Sequence, residues 1–305
     1  MSEHQLIRRA ETAVIERPAI GTPARPDVVT GRRPVRPRRG FDQPRFLAVF
    51  TALVFAYLFT PILVVVLFSF NSKRSTQLFG SFSLTWYQQL WNDVAMKDSM
   101  VASIEIAFVT MVVSTALGTL LAFGLVRARS RLNRPSDVLM LLNLVSPEIV
   151  TAIALLLIFS QLGLTLSLTT IILGHITFSI AYITIIVRGR LATFNVEVEE
   201  AALDLGATYT QAIRLVTLPL LWPAIIASAL LVFVMSFDDF VTSYFVSGTD
   251  VPPLPVRIYT MIHFGVTPEI NAVGTIMMFV TIVIVLLALG IYIRQQRARL
   301  AFLAE

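Results

Sequence analysis

Glu148, His175, Asp238 and Asp239 are ionisable side chains that stand inside or at the end of otherwise apolar stretches. An ionised acid at the centre of a bilayer costs about 2.5–3.5 kcal/mol on insertion scales, so Glu148, directly after Pro147 and well inside an apolar run, is expected to face a bundle interior. Carboxylates so placed attract a di- or polycation and deter anions. Pro147 adds to this by freeing a carbonyl one turn back, a neutral acceptor for an ammonium group. The plainer alternative for Glu148 is a packing residue, protonated or bonded to Asn143. Asp238 and Asp239 close another apolar run, where acids oppose the helix macrodipole, so local helix stability does not explain them. A helix entering near Leu220 puts Asp238 about 27 Å along it, near the outer mouth. Adjacent residues point ~100° apart on a helix, so only one of the two is expected to face a pathway; the plainer alternative is that both merely end the span in water. His175 has no second ligand at usable spacing; no metal site is expected, and the ring is read as hydrogen-bonded between helices. Glu148 with His175 would be the acid and base of an intramembrane enzyme, but no spacing brings them within reach of each other.

These residues must be held by membrane helices. The chain has 305 residues, 56% hydrophobic and 14% charged. Six apolar runs, at about 46–70, 101–126, 138–160, 168–187, 219–240 and 271–293, approach the ~20 residues that cross ~30 Å of hydrocarbon. A backbone in lipid must satisfy its own N–H and C=O groups, and continuous apolar runs exclude a barrel's alternation, so the fold class expected is an all-α integral membrane protein. Of the 24 Lys and Arg, all but Lys73, Arg74, Lys97 and Arg257 fall on one side if the amino terminus is cytoplasmic. The positive-inside rule then puts both termini in the cytoplasm. The same rule explains the pI of about 9.9, and no nucleic-acid partner is expected.

Three domains are expected: residues 1–45 as a disordered Arg/Pro-rich cytoplasmic tail that contacts anionic lipid, 46–295 as the six-helix transmembrane bundle, and 296–305 as a short cytoplasmic tail. The first 45 residues carry no apolar segment and so no signal peptide. There are no cysteines, hence no disulfide or thiolate chemistry. Trp86, Tyr87 and Trp91 suggest that Leu84 to Met96 lies along the outer interface as an amphipathic helix. Thr110, Ser114, Gly118 and Ala122 form a ridge of small side chains for close helix packing. Pro61 is expected to kink the first span without functional consequence.

Between the fourth and fifth runs, at about 188–218, lies a polar island. Val196 to Leu205 has helical character and ends at Gly206, a residue suited to the C′ position. Thr208 and Gln211 have capping-box spacing for a second helix running toward Val216, and Pro219 begins the next span. Ala201 and Ala202 leave a low surface that another protein's groove could approach, while Glu197, Glu199, Glu200 and Asp204 keep the rest soluble. A solvated connector is the alternative.

The pattern Glu200-Ala201-Ala202, three residues, Gly206, nine residues, Val216, one residue, Leu218-Pro219 resembles the cytoplasmic loop signature of ABC importer permeases. Only Val216 departs, Ile being usual there. The resemblance implies a type I importer-like permease whose coupling helix, here Glu200, Ala201, Ala202, Leu203, Asp204, Leu205 and Gly206 with Leu218 and Pro219, seats in a cleft of an ATP-hydrolysing subunit. The permease itself would be no enzyme. ATP-Mg would be bound by that separate subunit and no cofactor by this chain, which lacks a G-x-x-x-x-G-K-[ST] loop. Met235 to Phe240, Val246-Ser247-Gly248, Leu254-Pro255 and Val266 to Ala272 are similar to the putrescine/spermidine permease subfamily, within a likeness covering residues 46–295. It implies a second, different permease chain, two ATP-binding subunits, an extracytoplasmic polyamine-binding protein, and an inner-membrane location. The loop motif is shared across substrates, so thiamine or an iron chelate is the alternative cargo.

Overall fold

The computed structural model describes residues 45–75, 77–127 and 133–302. The basic tail before residue 45 and the last three residues lie outside the described residues. The chain divides between Tyr57 and Leu58; the core, the cavity and the loop described below all lie after that division.

The described residues are helical almost throughout, as expected for apolar runs that must satisfy their own backbone. Helix α1 spans Arg45–Ser69, α2 Thr85–Asn92, α3 Val94–Arg127, α4 Asn133–Val145, α5 Glu148–Gln161 and α6 Leu168–Ala192. Then come α7 Glu197–Asp204, α8 Tyr209–Ala212, a π-helical turn Ile213–Thr217, α9 Leu218–Phe237, α10 Val241–Val246, α11 Leu254–Phe264 and α12 Pro268–Phe302. Helix α1 continues through Pro61, and α12 runs past residue 295 to Phe302 without a break.

The core is built on α3 and α6, with α9 packed against both. The expected ridge is the reason: Thr110, Ser114, Gly118 and Ala122 are all buried. A Cβ on Gly118 would stand 2.8 Å from Ile183, and Thr184 Oγ1 donates to the Gly118 carbonyl at 3.2 Å. Ala122, Ile183, Val187, Leu221, Ile225 and Val232 fill the space between the three helices. Small side chains let the backbones approach where hydrophobicity, equal in lipid and protein, provides no drive.

Among the described residues five helices are long and apolar enough to cross a membrane, six if α4 and α5 count as one span. Here the continuous third helix expected over 138–160 is corrected. It breaks at Ser146-Pro147, and its halves are bent by 111°. Pro147 has no N–H to continue α4 and pushes Ser146 out of the helical region; Pro147 then adopts φ −58°, ψ 130° and starts a new helix. The broken pair still traverses the length of α6. Arg188 is ion-paired with Asp137, Met140 packs by Ala181, Asn143 Nδ2 donates to the Thr177 carbonyl at 2.9 Å, and Leu155 and Phe159 pack by Ile171.

The anchoring of Trp86 in the membrane interface is also corrected. Trp86 and Leu90 are buried against Met96, Leu254, Ala272 and Val273. Trp86 Nε1 donates to the Asn71 carbonyl at 2.6 Å, and the Tyr87 hydroxyl lies 2.8 Å from Ser69 Oγ. Only Trp91 is well exposed. The aromatic cluster fastens the first loop to the helix ends, with α3 starting at Val94 immediately afterwards.

Candidate functional site: an acidic cavity and a clamped loop

Two breaks in helices converge on one cavity of about 510 Å³. The α4/α5 break supplies Asn143, Ser146, Glu148 and Thr151; the α9/α10 break supplies Asp238, Asp239, Phe240 and Thr242; Phe178 and Tyr182 of α6 form a wall between them. Non-helical backbone at membrane depth is tolerated where it is buried in protein or lines a cavity, and discontinuous helices are a recurring way to build ion and solute sites.

Glu148 is the first residue of α5, not a mid-helix residue, so its carboxylate also meets the favourable end of that helix's dipole. It lies against the carboxyl group of Asp239. Asn143, which also lines the cavity, donates from Nδ2 to the Thr177 carbonyl. Asp238 and Asp239 do not point to different sides: both line the cavity. The helical 100° rule does not apply because α9 ends at Phe237, one residue before the pair. Asp238 is exposed and accepts from Thr281 Oγ1 of α12 at 3.1 Å. Asp239 is buried, with its Oδ2 accepting from the Ser243 backbone N–H at 2.8 Å.

His175 is fully buried and hydrogen-bonded between helices, as its solitary position suggested. Its Nε2 lies 3.0 Å from Asp239 Oδ2 and 3.2 Å from Ser243 Oγ, and its Nδ1 lies 2.7 Å from Ser236 Oγ. His175 and Glu148 thus share Asp239 as a neighbour, a proximity that the spacing did not reveal. The ring stands behind Asp239 and is not among the cavity-lining residues, so it presents no base to a substrate.

The loop between α6 and α9 has the expected helix, glycine turn and second helix. Gly206 has φ +89°, its N–H bonds the Leu203 carbonyl, and the Ala207 N–H reaches Ala202, which together make a Schellman ending for α7. The Thr208–Gln211 capping box forms, with Gln211 N 3.3 Å from Thr208 Oγ1 and Thr208 N 2.8 Å from Gln211 Oε1. Pro219 stands in the first turn of α9, as expected. The chain stays helical from Tyr209 to Phe237, and the π turn, with the Leu218 N–H bonded to the Ile213 carbonyl, opens the spacing where Pro219 has no N–H to offer Leu215.

Glu200, Ala201, Leu203, Asp204, Leu205 and Gly206 are exposed and Ala202 is half-buried; Leu205 reaches 90% exposure. Glu199 departs from its expected solubilising role. It is buried, ion-paired with Arg127 at the end of α3, and accepts from Thr217 Oγ1 at 2.9 Å. Burial raises its carboxyl pKa, but Arg127 and Thr217 outweigh that and hold it below the ordinary carboxylate range. Arg127 also stands 5.9 Å from the centre of the Tyr209 ring. An arginine at the end of a span and a threonine in the following helix carry no signature of this clamp in the sequence.

Residues 114–299 match the family model described as the binding-protein-dependent transport system inner membrane component. The chain belongs to this family. It is 38% identical over 239 residues to the spermidine/putrescine transport system permease protein PotC of Haemophilus influenzae, covering 78% of this chain and 93% of the relative. It is 34% identical over 259 residues to the putrescine transport system permease protein PotI of Escherichia coli, covering 83% and 92%. In fold it is similar to a chain of a bacterial ABC transporter involved in import of the acidic polysaccharide alginate, with TM-score 0.65 and 13% identity over 83% of this chain and 95% of that one. The chain is therefore an inner-membrane transport permease, a role that involves no bond-making chemistry of its own.

Proposed function

We propose that this permease imports polyamines, with Glu148, Asp238 and Asp239 as the cation-recognising part of its pathway and the 197–219 loop as the point at which an ATPase drives it. One observation carries the reading: three acids line one cavity, and the partners recorded for them are a threonine, a serine N–H, a histidine and one another. No arginine or lysine lines that cavity, so an arriving ammonium group supplies the missing positive charge. Two carboxylates side by side repel when both are ionised, and a cation between them relieves that cost. Phe178, Tyr182 and Phe240 suit the methylene chain and the cation faces of an aliphatic amine. The names of the polyamine relatives point to the same cargo.

The broken pair α4 and α5 is taken as one span, giving six spans with both termini cytoplasmic. Glu200 to Gly206, with Leu218 and Pro219 at the base, then meet a cytoplasmic ATP-binding subunit that holds ATP-Mg. A second permease chain completes the pathway, and an extracytoplasmic binding protein delivers the solute. Closure of the ATPase pair would move the loop and, through the Arg127–Glu199 clamp, the end of α3.

The test is ATP-driven uptake of labelled putrescine and spermidine into vesicles holding the whole assembly, each competed by the other, by thiamine and by an iron chelate. Saturable polyamine uptake, unaffected by the last two, is expected; competition by thiamine or chelate but not by polyamine would overturn the cargo. Because the chain has no cysteine, Glu200→Cys provides a unique crosslinking site. Capture of the ATPase subunit is expected, and its absence in an active assembly would reject the loop assignment.

A further inference from the structure

We propose that His175 is the positioning residue for cation recognition: as a neutral imidazole it splints the α9/α10 break and holds Asp239 with its charge uncompensated and aimed at Glu148. The proposal rests on the reading of the cavity carboxylates as the polyamine site, and adds to it a residue that never touches the solute.

The ring comes from α6 and contacts residues on both sides of the break: Ser236 in α9, Asp239 within the break, and Ser243 in α10. It is completely buried, as are Ser236 and Ser243. An ionised aspartate only accepts, so the nitrogen facing it, Nε2, carries a proton; in the neutral ring of this proposal Nδ1 accepts from the Ser236 hydroxyl. Both ring nitrogens are then satisfied without a second proton, and the tautomer is set by Asp239, as in sites where one ring nitrogen's partner fixes the other's role.

Two donors, His175 Nε2–H and the Ser243 backbone N–H, converge on the same oxygen of Asp239, Oδ2, at 3.0 and 2.8 Å. A carboxylate held at one oxygen by two donors has its rotation fixed, which leaves the other oxygen's lone pairs for a different partner. Asp239 lines the cavity and Glu148 lies against it, so that partner is whatever stands between the two acids. An arginine or lysine in place of His175 would fix the carboxylate equally well but cancel its charge. An apolar residue would leave the charge but not the orientation. A neutral histidine does both tasks, which is why an isolated histidine in an apolar span is worth its cost of burial.

The test uses the complete assembly in vesicles, with membrane content of each variant measured first. His175→Leu is expected to raise the putrescine KM about tenfold with the maximal rate within about twofold, the pattern of lost binding rather than lost turnover. His175→Gln, whose amide N–H reaches the place of Nε2, should recover to within about threefold of the parent, whereas His175→Asn, which reaches only the place of Nδ1, should not. On an Asp239→Asn background, His175→Leu should add nothing further. Should the leucine variant fail to insert, the contrast between Gln and Asn carries the decision. Equal KM for Gln and Asn variants, or additive effects with Asp239→Asn, would overturn the positioning role. Unchanged uptake by Glu148→Gln and Asp239→Asn would instead remove the cavity reading, and the inference with it; a drop in both of those with a normal KM for His175→Leu would sink this inference alone.

Discussion

Two buried carboxylates, Glu199 and Asp239, are solved in opposite ways, and the contrast separates scaffold from site. Glu199 is paired with a permanent cation, Arg127, and with Thr217 Oγ1. Its charge is cancelled and its position tied to the ends of two membrane helices. Asp239 has no arginine or lysine partner among the described residues; it is held by the His175 ring and the Ser243 N–H, with a second acid beside it. The first arrangement is complete as it stands. The second is short of one positive charge and opens on a cavity. A buried ion pair fixes geometry at little net gain in stability, whereas an acid left without a counter-charge at membrane depth is a functional-site hypothesis by default.

The largest effect expected is from Arg127→Ala, which strands Glu199 as a buried, unpaired charge at a cost on the order of 3–5 kcal/mol. Hydrogen exchange should show residues 197–217 losing protection and uptake should collapse, while Glu199→Gln with Arg127→Gln, removing both charges together, should be much milder. Equal damage from the single and double variants would mean that the pair is not a unit. Next, Glu148→Gln combined with Asp239→Asn should lower polyamine uptake at least tenfold while leaving loop protection and the Glu200→Cys crosslink untouched. Loss of that crosslink would show that the two regions are not separable. A smaller change is expected from Gly206→Ala, since φ +89° costs an L side chain about 1–2 kcal/mol; exchange should rise at residues 203–208 alone. Least of all, pH should separate the regions only in acid. The Glu199 carboxyl is held below the ordinary range, so its stabilisation is complete above that range and is lost as pH falls through its depressed folded value. Loop protection should be flat from about pH 8 to about pH 5 and fade below about pH 4; fading already near neutrality would contradict the clamp.

Much of this was legible in the linear chain. The apolar runs marked the membrane helices, the ridge from Thr110 to Ala122 marked the closest helix pair, and Gly206 with the Thr208–Gln211 box marked the loop. These are local signals with a fixed period or spacing, set by the backbone's need to bond itself in lipid. The third span was misread as continuous, although Pro147 was in plain view, because hydropathy records apolarity and not direction. Trp86 was assigned to lipid for the same reason: an aromatic residue near a helix end suits an interface and a loop core equally well.

The sequence by itself determined that this chain is a bundle of membrane helices with a glycine-hinged polar loop, and it contained every acid that now lines the cavity. Only the tertiary structure decided which charges are cancelled and which are left open. It put Arg127 on Glu199 across 72 residues and His175 on Asp239 across 64. Partnership between charges depends on distance and desolvation in three dimensions, and neither is encoded in separation along the chain.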